Sequence, residues 1–213
     1  MWMLLAAAAM AEPTHAAIDA ASWEEVTRRS HADAGEVVVS RSTVDGVDCF
    51  RGTAKVDVPG EKMLDVVADV EGAVRWSSAG VTEAKLLGRS GSTVEYFQYL
   101  DVPGWTMASD RFWFLKANIE SGTDSWALRW SRLIDGGSHK EAYAKVKTDH
   151  SSAVEPPTNV GSWVFETADG GTRLIYSVCT HPGGSIPVAV QNAATKKTLP
   201  DTLGDVVREA RRR

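Results

Sequence analysis

The chain has 213 residues, enough for one large domain that buries a core without needing disulfides or metals to hold it together. Its 43% hydrophobic and 24% charged residues are typical of a globular protein, and a net charge of -5 argues against a nucleic-acid partner, which would need a basic face. Eight tryptophans are more than such a chain usually carries, and large indoles need an apolar core or a cavity wall.

An apolar run, residues 2–10, opens the chain, and Ala9-Met10-Ala11 has the small-x-small form of a signal-peptidase site. No Lys or Arg precedes the run and it is shorter than a usual signal, so a frayed start or a misplaced start codon is the alternative. We interpret residues 1–20 as a signal peptide and flexible N-terminus. This predicts a periplasmic or secreted protein, with a cytoplasmic location as the alternative. Neither this run nor any later segment is long and apolar enough to span a bilayer.

The region before residue 60 predicts a short helix and a hairpin. Ser22 and Glu25 have the spacing of a capping box, which predicts that a helix begins there. Residues 36–40 are rich in β-branched side chains, and Asp45-Gly46 is a typical hairpin turn before a second strand at residues 48–58. The apolar residues of that second strand do not alternate strictly, which is consistent with a bulge.

A helix follows Pro59-Gly60, because apolar residues from Met63 to Trp76 recur at helical spacing. Beyond it, strand-like runs alternate with glycine-containing turns, and no further helix is predicted before the C-terminal region. Short connections between successive strands predict an antiparallel meander. The runs are residues 82–87, 93–100, 111–119, 125–133, 141–147, 161–166 and 172–180.

The chain ends in an amphipathic helix that Ser185 can cap. Pro200 must kink this helix or restart it at a first-turn position. Arg208 and the three terminal arginines complement the negative end of the helix dipole, and contact with a membrane is the alternative interpretation of these charges. No repeat, low-complexity tract or linker divides the chain, so a single domain is expected.

Several motifs along the chain follow a recognisable order. They are Cys49-Phe50-Arg51-Gly52, Val74-Arg75-Trp76, Pro103-Gly104-Trp105 with Ser109-Asp110-Arg111-Phe112, Gly161-Ser162-Trp163, and His181-Pro182-Gly183-Gly184-Ser185-Ile186-Pro187. In order and spacing, the stretch from residue 22 to residue 208 resembles a START lipid-transfer domain of the helix-grip superfamily, which includes plant pathogenesis-related allergens. Two motifs depart from the family pattern: the order of Asp110 and Arg111 is reversed, and His181 replaces an acid.

The resemblance implies an α+β helix-grip fold over residues 21–213, in which a curved antiparallel β-sheet wraps around a long C-terminal helix. A tunnel between the sheet and the helix would hold one hydrophobic molecule. In that family the first strand lies between the second and the last, so Cys49 and Cys179 would be two strand spacings apart, about 10 Å. That separation exceeds disulfide reach, and two free thiols are expected.

Alternation along the strands suggests which residues form the tunnel wall. In residues 111–119 the set that begins with Arg111 and Trp113 is otherwise apolar, so we expect it to face inward. Aromatic residues on an inner face usually belong to the core, which is the alternative for each candidate, although pockets are lined mainly by such groups. The candidate ligand-binding residues are Trp76, Tyr96, Arg111, Trp113, Trp126, Trp130, Tyr176, Val190 and Ala194.

Arg111 is the charged member of this set. An inward arginine needs a carboxylate or a polar group of the ligand to offset its desolvation, and Glu95 or Asp110 could supply the carboxylate. A hydrated structural position at the rim is the alternative.

Neither a metal site nor a catalytic motif is evident. The five histidines are scattered without ligand spacing, so no metal and no cofactor are expected. A general-base role for His181 and an anion site at Gly183-Gly184-Ser185 are less favoured than a structural turn that leads into the last helix.

The favoured function is non-catalytic binding or transfer of a lipid, sterol or fatty acyl compound, gated by the C-terminal helix with Gly183-Gly184 and Pro200 as hinges. The expected partners are that hydrophobic molecule and a transient membrane contact. The alternative is a helix-grip enzyme, such as a polyketide cyclase/aromatase or a hydrolase, with Arg111, Glu95 and a tyrosine as acid–base groups. A third possibility is an interaction module whose groove is filled by its own side chains.

Overall fold

The computed structural model describes residues 12–102, 108–181, 183 and 187–213. In chain order its strands are β1 (Glu24–His31), β2 (Gly35–Val44), β3 (Val47–Val56), β4 (Val81–Ser90), β5 (Thr93–Leu100), β6 (Arg111–Ser121), β7 (Ser125–Arg132), β8 (Thr158–Ala168) and β9 (Gly171–His181). They form one nine-stranded antiparallel sheet in the order β1-β2-β3-β9-β8-β7-β6-β5-β4. The predicted meander therefore runs from β4 to β9. The first three strands connect to it through β3, which pairs with β2 on one side and with β9 on the other.

The helices are α1 (His15–Ala20), α2 (Gly60–Ala68), α3 (Ala73–Trp76), α4 (Lys140–Asp149) and α5 (Val188–Arg212). One face of the sheet packs against α2 and α5, and Leu115 and Ala117 of β6 belong to this main core. The other face packs against α4, where Phe112 and Phe114 form a separate cluster. The α+β prediction of a curved antiparallel sheet around a C-terminal helix is confirmed.

The second half of α5 anchors this helix to the sheet. Its buried apolar side chains include Leu199, Leu203, Val206, Val207 and Ala210. Two glycines allow α5 to pack closely against the sheet. A Cβ at Gly52 of β3 would overlap Leu199, and a Cβ at Gly204 of α5 would overlap the imidazole of His31. The helix continues through Pro200.

Two local predictions are wrong. No helix begins at Ser22; instead β1 starts at Glu24, as a charged edge strand in which Arg28 forms ion pairs with Glu25 and Glu36. Charged side chains are typical of edge strands, because they discourage pairing with another chain. The strand expected at residues 141–147 lies in α4, and Tyr143 on its inner side packs against the sheet.

The predicted helix from Met63 to Trp76 is interrupted. After α2 ends, a 3₁₀ turn at Val70–Gly72 leads into α3, and the Asp69 carboxylate caps that turn by accepting from the Gly72 N–H. The bulge considered for β3 is absent from its pairing with β2 and β9, whose registers run without a shift. The hairpin at Asp45-Gly46 is confirmed, with both residues at positive φ.

The prediction of two free thiols is also wrong. Cys49 of β3 lies directly opposite Cys179 of β9, with Cα atoms 4.1 Å apart, and the two form a disulfide. The prediction failed because it placed the strand now seen as β2 next to β9. In the structure β3 occupies that position.

Residues 12–20 pack against the sheet, so the domain extends beyond the expected boundary at residue 21. Ile18 of α1 is buried in a cluster around the disulfide. The Glu12 carboxylate accepts a hydrogen bond from the N–H of Asn159, 2.9 Å away. The predicted signal peptide falls largely on residues 1–11, outside the described part of the chain.

The C-terminal arginines are engaged within the fold. Their ion pairs are Arg208–Asp33 (3.4 Å), Arg211–Asp57 (2.5 Å) and Arg213–Asp69 (2.7 Å). These pairs join the end of α5 to the β1–β2 turn, to the residue after β3 and to the end of α2. They favour a structural role for these charges over membrane contact. The expected cap residue of the helix, Ser185, lies outside the described residues.

Candidate pocket between the sheet and the last helix

A pocket of about 670 Å³ lies between the inner face of the sheet and α5. Strands β5 to β9 supply its floor, and α2, α3 and α5 close its sides. Most of the lining is apolar or aromatic, and the volume lies within the range typical of small-molecule sites, about 300–1,000 Å³.

Most of the candidates from the sequence meet at this pocket. Those that line it are Trp76, Tyr96, Arg111, Trp113, Trp130, Tyr176, Val190 and Ala194. Trp126 is not among the residues that line this pocket. Its indole packs instead against Gly60 at the start of α2, because β7 extends past the pocket to the helix.

An aromatic cluster forms part of the pocket floor. The Tyr176 ring lies 5.8 Å from that of Trp130 and 4.2 Å from that of Trp163, measured between centroids. The Trp130 indole N–H donates to Asn159 Oδ1 at 3.0 Å, so its polar atom is satisfied within the protein. Burial raises the pKa of Tyr96 and of Tyr176 well above the ordinary value, so both hydroxyls stay protonated and can donate hydrogen bonds.

Arg111 begins β6 at one end of the pocket and is 5% exposed. Its guanidinium donates to the backbone carbonyls of Ser109, Asp110 and Gly183, which ties β6 to the turn before α5. Burial lowers the Arg111 pKa, and the charge of Asp110 partly opposes this. The Asp110 carboxylate itself accepts from the Tyr99 hydroxyl and the N–H of Val102.

Glu95, the other carboxylate considered for Arg111, lies on the opposite face of the sheet. Its carboxylate contacts His139 at 2.8 Å and Lys116 at 3.8 Å, beside α4. The expected grouping of Arg111, Glu95 and a tyrosine is therefore wrong. Alternation along β5 explains the position of Glu95: Tyr96 faces the pocket, so the residue before it must face away.

The sequence interpretation missed several lining residues on α5. Thr198 and Thr202 continue the four-residue spacing of Val190 and Ala194 along one side of the helix, and Thr195 lies beside them. The i, i+4 pattern could have identified them. These residues were not predicted, because a polar side chain does not extend an apolar pattern. Gln98, two residues after Tyr96 on β5, was missed for the same reason.

The first half of α5 is held more loosely than the second. Val190 is 57% exposed, and both Ala193 and Ala194 are exposed. Among the side chains that the structure describes, one hydrogen bond joins this half to β3: the Asn192 amide donates to Asp48 Oδ2 at 2.6 Å. A smaller hollow lies on that side of the helix.

His181 stabilises the turn before α5 through a backbone hydrogen bond. His181 Nδ1 accepts a hydrogen bond from the N–H of Gly183 at 3.2 Å, and Gly183 has a positive φ of 62°. This bond closes the turn as a carboxylate would, which accounts for His181 structurally.

The described residues contain no group of three or more His, Cys, Asp or Glu side chains placed to hold a metal ion. In the same part of the chain, no helix combines the length and the apolar character needed to cross a membrane.

Comparison by sequence gives one distant relative. No family model matches the chain. An uncharacterized protein of Pseudomonas aeruginosa is 26% identical over 164 residues, which is 76% of this chain and 75% of that protein.

Comparison by structure defines the fold. The STAR-related lipid transfer protein of Xanthomonas axonopodis has a TM-score of 0.68 at 21% identity, over 89% of this chain and 98% of its own. Human StAR-related lipid transfer protein 5 has a TM-score of 0.68 at 16% identity, over 90% and 88%. The ZhuI aromatase/cyclase of Streptomyces has a TM-score of 0.54 at 16% identity, over 78% and 94%. The chain therefore has the helix-grip fold of START domains, a fold that carries lipid-transfer proteins and an aromatase/cyclase.

Proposed function

We propose that the protein binds or transfers one hydrophobic molecule, a lipid, sterol or fatty acyl compound, in the pocket between the sheet and α5. The observation that carries the proposal is the volume of about 670 Å³ with its mainly apolar and aromatic lining. Burial of the apolar surface of a ligand there would contribute about 25 cal/mol per Å². The structural likeness to lipid-transfer proteins agrees with this proposal.

Entry to the pocket requires part of its wall to move, and the first half of α5 is the part we propose. Its side chains are largely exposed, and Asn192 is its polar tie to β3. From Leu199 onward the helix is held by buried side chains and ion pairs. Pro200 lies at this boundary and lacks the N–H that would close the preceding turn, so it is the expected hinge.

The distribution of polar groups favours a carrier over an enzyme. Glu95 is on the far face of the sheet, and the two buried tyrosines stay protonated, which leaves neither available as a general base. The aromatase/cyclase likeness keeps catalysis as the alternative. Turnover of a polyketide substrate by the purified protein would replace the carrier proposal with that alternative.

A pair of substitutions on adjacent residues of α5 tests the proposed function. Ala194 lines the pocket and Ala193 lines the smaller hollow on the other side of the helix. We expect Ala194→Phe to fill pocket volume and weaken the binding of fluorescent fatty acyl or sterol probes at least about tenfold, while Ala193→Phe binds like the unmodified protein. No binding by the unmodified protein, or equal loss in both variants, would contradict the proposal.

We also propose that the protein works in an oxidising compartment, in the periplasm or outside the cell. Disulfides persist there and are rare in the cytosol, so the Cys49–Cys179 bond supports this location together with the apolar N-terminal run. Fractionation of cells that make the full chain tests it, and a cytosolic protein that keeps residues 1–11 would contradict it.

A further inference from the structure

Two tryptophans of the pocket carry hydrogen-bond donors that the protein leaves unused. The indole nitrogens of Trp76 and Trp113 are buried and have no hydrogen-bond partner among the residues that the structure describes. Both side chains line the pocket. Trp130 in the same pocket shows the contrast, because its indole N–H donates to Asn159.

Unused buried donors are costly. An indole N–H without a partner loses its bond to water on folding, which costs about 1–3 kcal/mol for each group. Buried indoles usually find an acceptor, so two unsatisfied donors at one pocket indicate an acceptor that arrives with the ligand. A third unpartnered indole, that of Trp23, lies away from the pocket and stacks on Arg51.

The charge of the lining indicates which acceptor fits. Among the lining residues that the structure describes, Arg111 is the one charged side chain, and none is an Asp or Glu. Arg111 and Trp113 are two residues apart on β6 and therefore share a face, and Gln98 is paired with Trp113 across β5 and β6. One end of the pocket thus combines a cation with an indole N–H and an amide.

The part of the sheet next to this end differs in chemistry. Trp130, Trp163 and Tyr176 form an aromatic surface, and Leu115 and Leu128 extend it. This surface suits a hydrocarbon chain or a flat apolar ring. The polar and apolar parts lie in one cavity, so a ligand that matches both must be amphipathic.

We propose that the pocket selects a carboxylate-bearing amphiphile, whose acid group accepts hydrogen bonds at the Arg111–Trp113 end while its hydrocarbon part covers the aromatic surface. This inference rests on the proposed function and names the ligand class of the same site. Charge-assisted hydrogen bonds are about twice as strong as neutral ones, so the ionised acid group, and not only the chain, contributes to affinity.

A matched pair of ligands tests this proposal. Oleic acid and oleyl alcohol share one hydrocarbon chain, and their affinities are compared by calorimetry at pH 8 below micelle-forming concentrations. We expect the acid to bind at least about tenfold more tightly than the alcohol. Equal affinities, or tighter binding of the alcohol, overturn the carboxylate proposal and leave the proposed function intact. Failure of both to bind overturns the two together.

Variants and a spectroscopic readout identify the groups involved. Arg111→Gln and Trp113→Phe should reduce the preference for the acid by about tenfold and a few-fold respectively, whereas Trp126→Phe, outside the pocket, should leave it unchanged. If Arg111→Gln fails to fold, the indole N–H resonances decide. Oleic acid should shift the resonances of Trp76 or Trp113 downfield, as expected for new hydrogen bonds, and that of Trp126 should not move. Unmoved pocket resonances at saturation overturn the proposal.

Discussion

Asp205, on the buried side of α5, accepts two hydrogen bonds from Ser78, one from its N–H and one from its hydroxyl, each 2.6 Å long. The carboxylate also binds Arg208 one turn further along the helix. Ser77 and Ala79, on either side of Ser78, line the pocket. This single carboxylate therefore holds the α3–β4 loop, and with it one rim of the pocket, against the anchored half of α5.

Replacement of Asp205 should destabilise the protein. We expect Asp205→Ala to lower the free energy of unfolding by about 2–4 kcal/mol, because it leaves two donors of Ser78 without their acceptor and removes one of the two carboxylates that pair with Arg208. Urea denaturation measures the change. Asp201→Ala, at an exposed carboxylate of the same helix that lies 3.7 Å from His31, is the control and should change stability by less than about 1 kcal/mol. Equal effects of the two variants would contradict this role of Asp205.

The disulfide should contribute strongly to stability. It closes a loop with a sequence separation of 130 residues, and the chain-entropy model assigns about 3–5 kcal/mol to such a loop. Reduction, or the double change Cys49→Ala and Cys179→Ala, should lower the free energy of unfolding by that amount. A thiol reagent should label neither cysteine in unreduced, denatured protein, and two labelled thiols would refute the pairing.

The contact between Gly204 and His31 reverses the usual effect of alanine in a helix. Alanine is ordinarily more favourable than glycine by about 1 kcal/mol in a helix interior. Here Gly204→Ala should be destabilising, because the new methyl group would overlap the imidazole. Adding His31→Ala should recover part of the loss, which a double-mutant cycle of thermal unfolding measures. Additive effects would show that the two residues are not in contact.

The hydrogen bond between Asn192 of α5 and Asp48 of β3 should weaken at acid pH. Burial raises the pKa of Asp48, but hydrogen bonds from Arg41 and Asn192 and the charge of Arg41 outweigh burial and hold it below its ordinary value. A carboxylate with a lowered pKa contributes stability that is present above its unfolded-state pKa, about 3.9, and lost as the pH falls through the folded value.

The stability difference between the unmodified protein and Asp48→Asn should therefore be greatest above about pH 5 and decrease below about pH 4. Thr43 is the other group that contacts this carboxylate. Urea midpoints at a series of pH values measure the difference. A difference that stays constant down to pH 3 would show that the charge of Asp48 plays no part.

The sequence predicted the strands where local signals were strong. The turn at Asp45-Gly46 has two residues that accept positive φ, and alternation placed Arg111 and Trp113 on the face of β6 that lines the pocket. The apolar residues Phe112 and Phe114 on the other face were the clue to α4, since a face exposed to water would not need them. The clue was missed because residues 141–147 alternate in polarity and resemble a strand.

The remaining errors came from long-range pairing, which no local pattern records. The position of Cys49 opposite Cys179 follows from which strand lies beside β9, a consequence of the whole topology. Trp126 and Trp130 share a face of the sheet, yet α2 covers Trp126 whereas Trp130 lines the pocket. Alternation predicts the face of a sheet on which a side chain lies, but the helices decide where along that face a cavity remains.

Native mass spectrometry tests directly whether the pocket holds one hydrophobic molecule, as we propose. The purified protein is incubated with a total bacterial lipid extract, freed of excess lipid and weighed intact beside Ala194→Phe and Ala193→Phe. We expect one bound molecule for each chain of the unmodified protein and of Ala193→Phe, and little or none on Ala194→Phe. A spectrum that shows only the mass of the bare chain, or equal lipid on all three proteins, would contradict the claim.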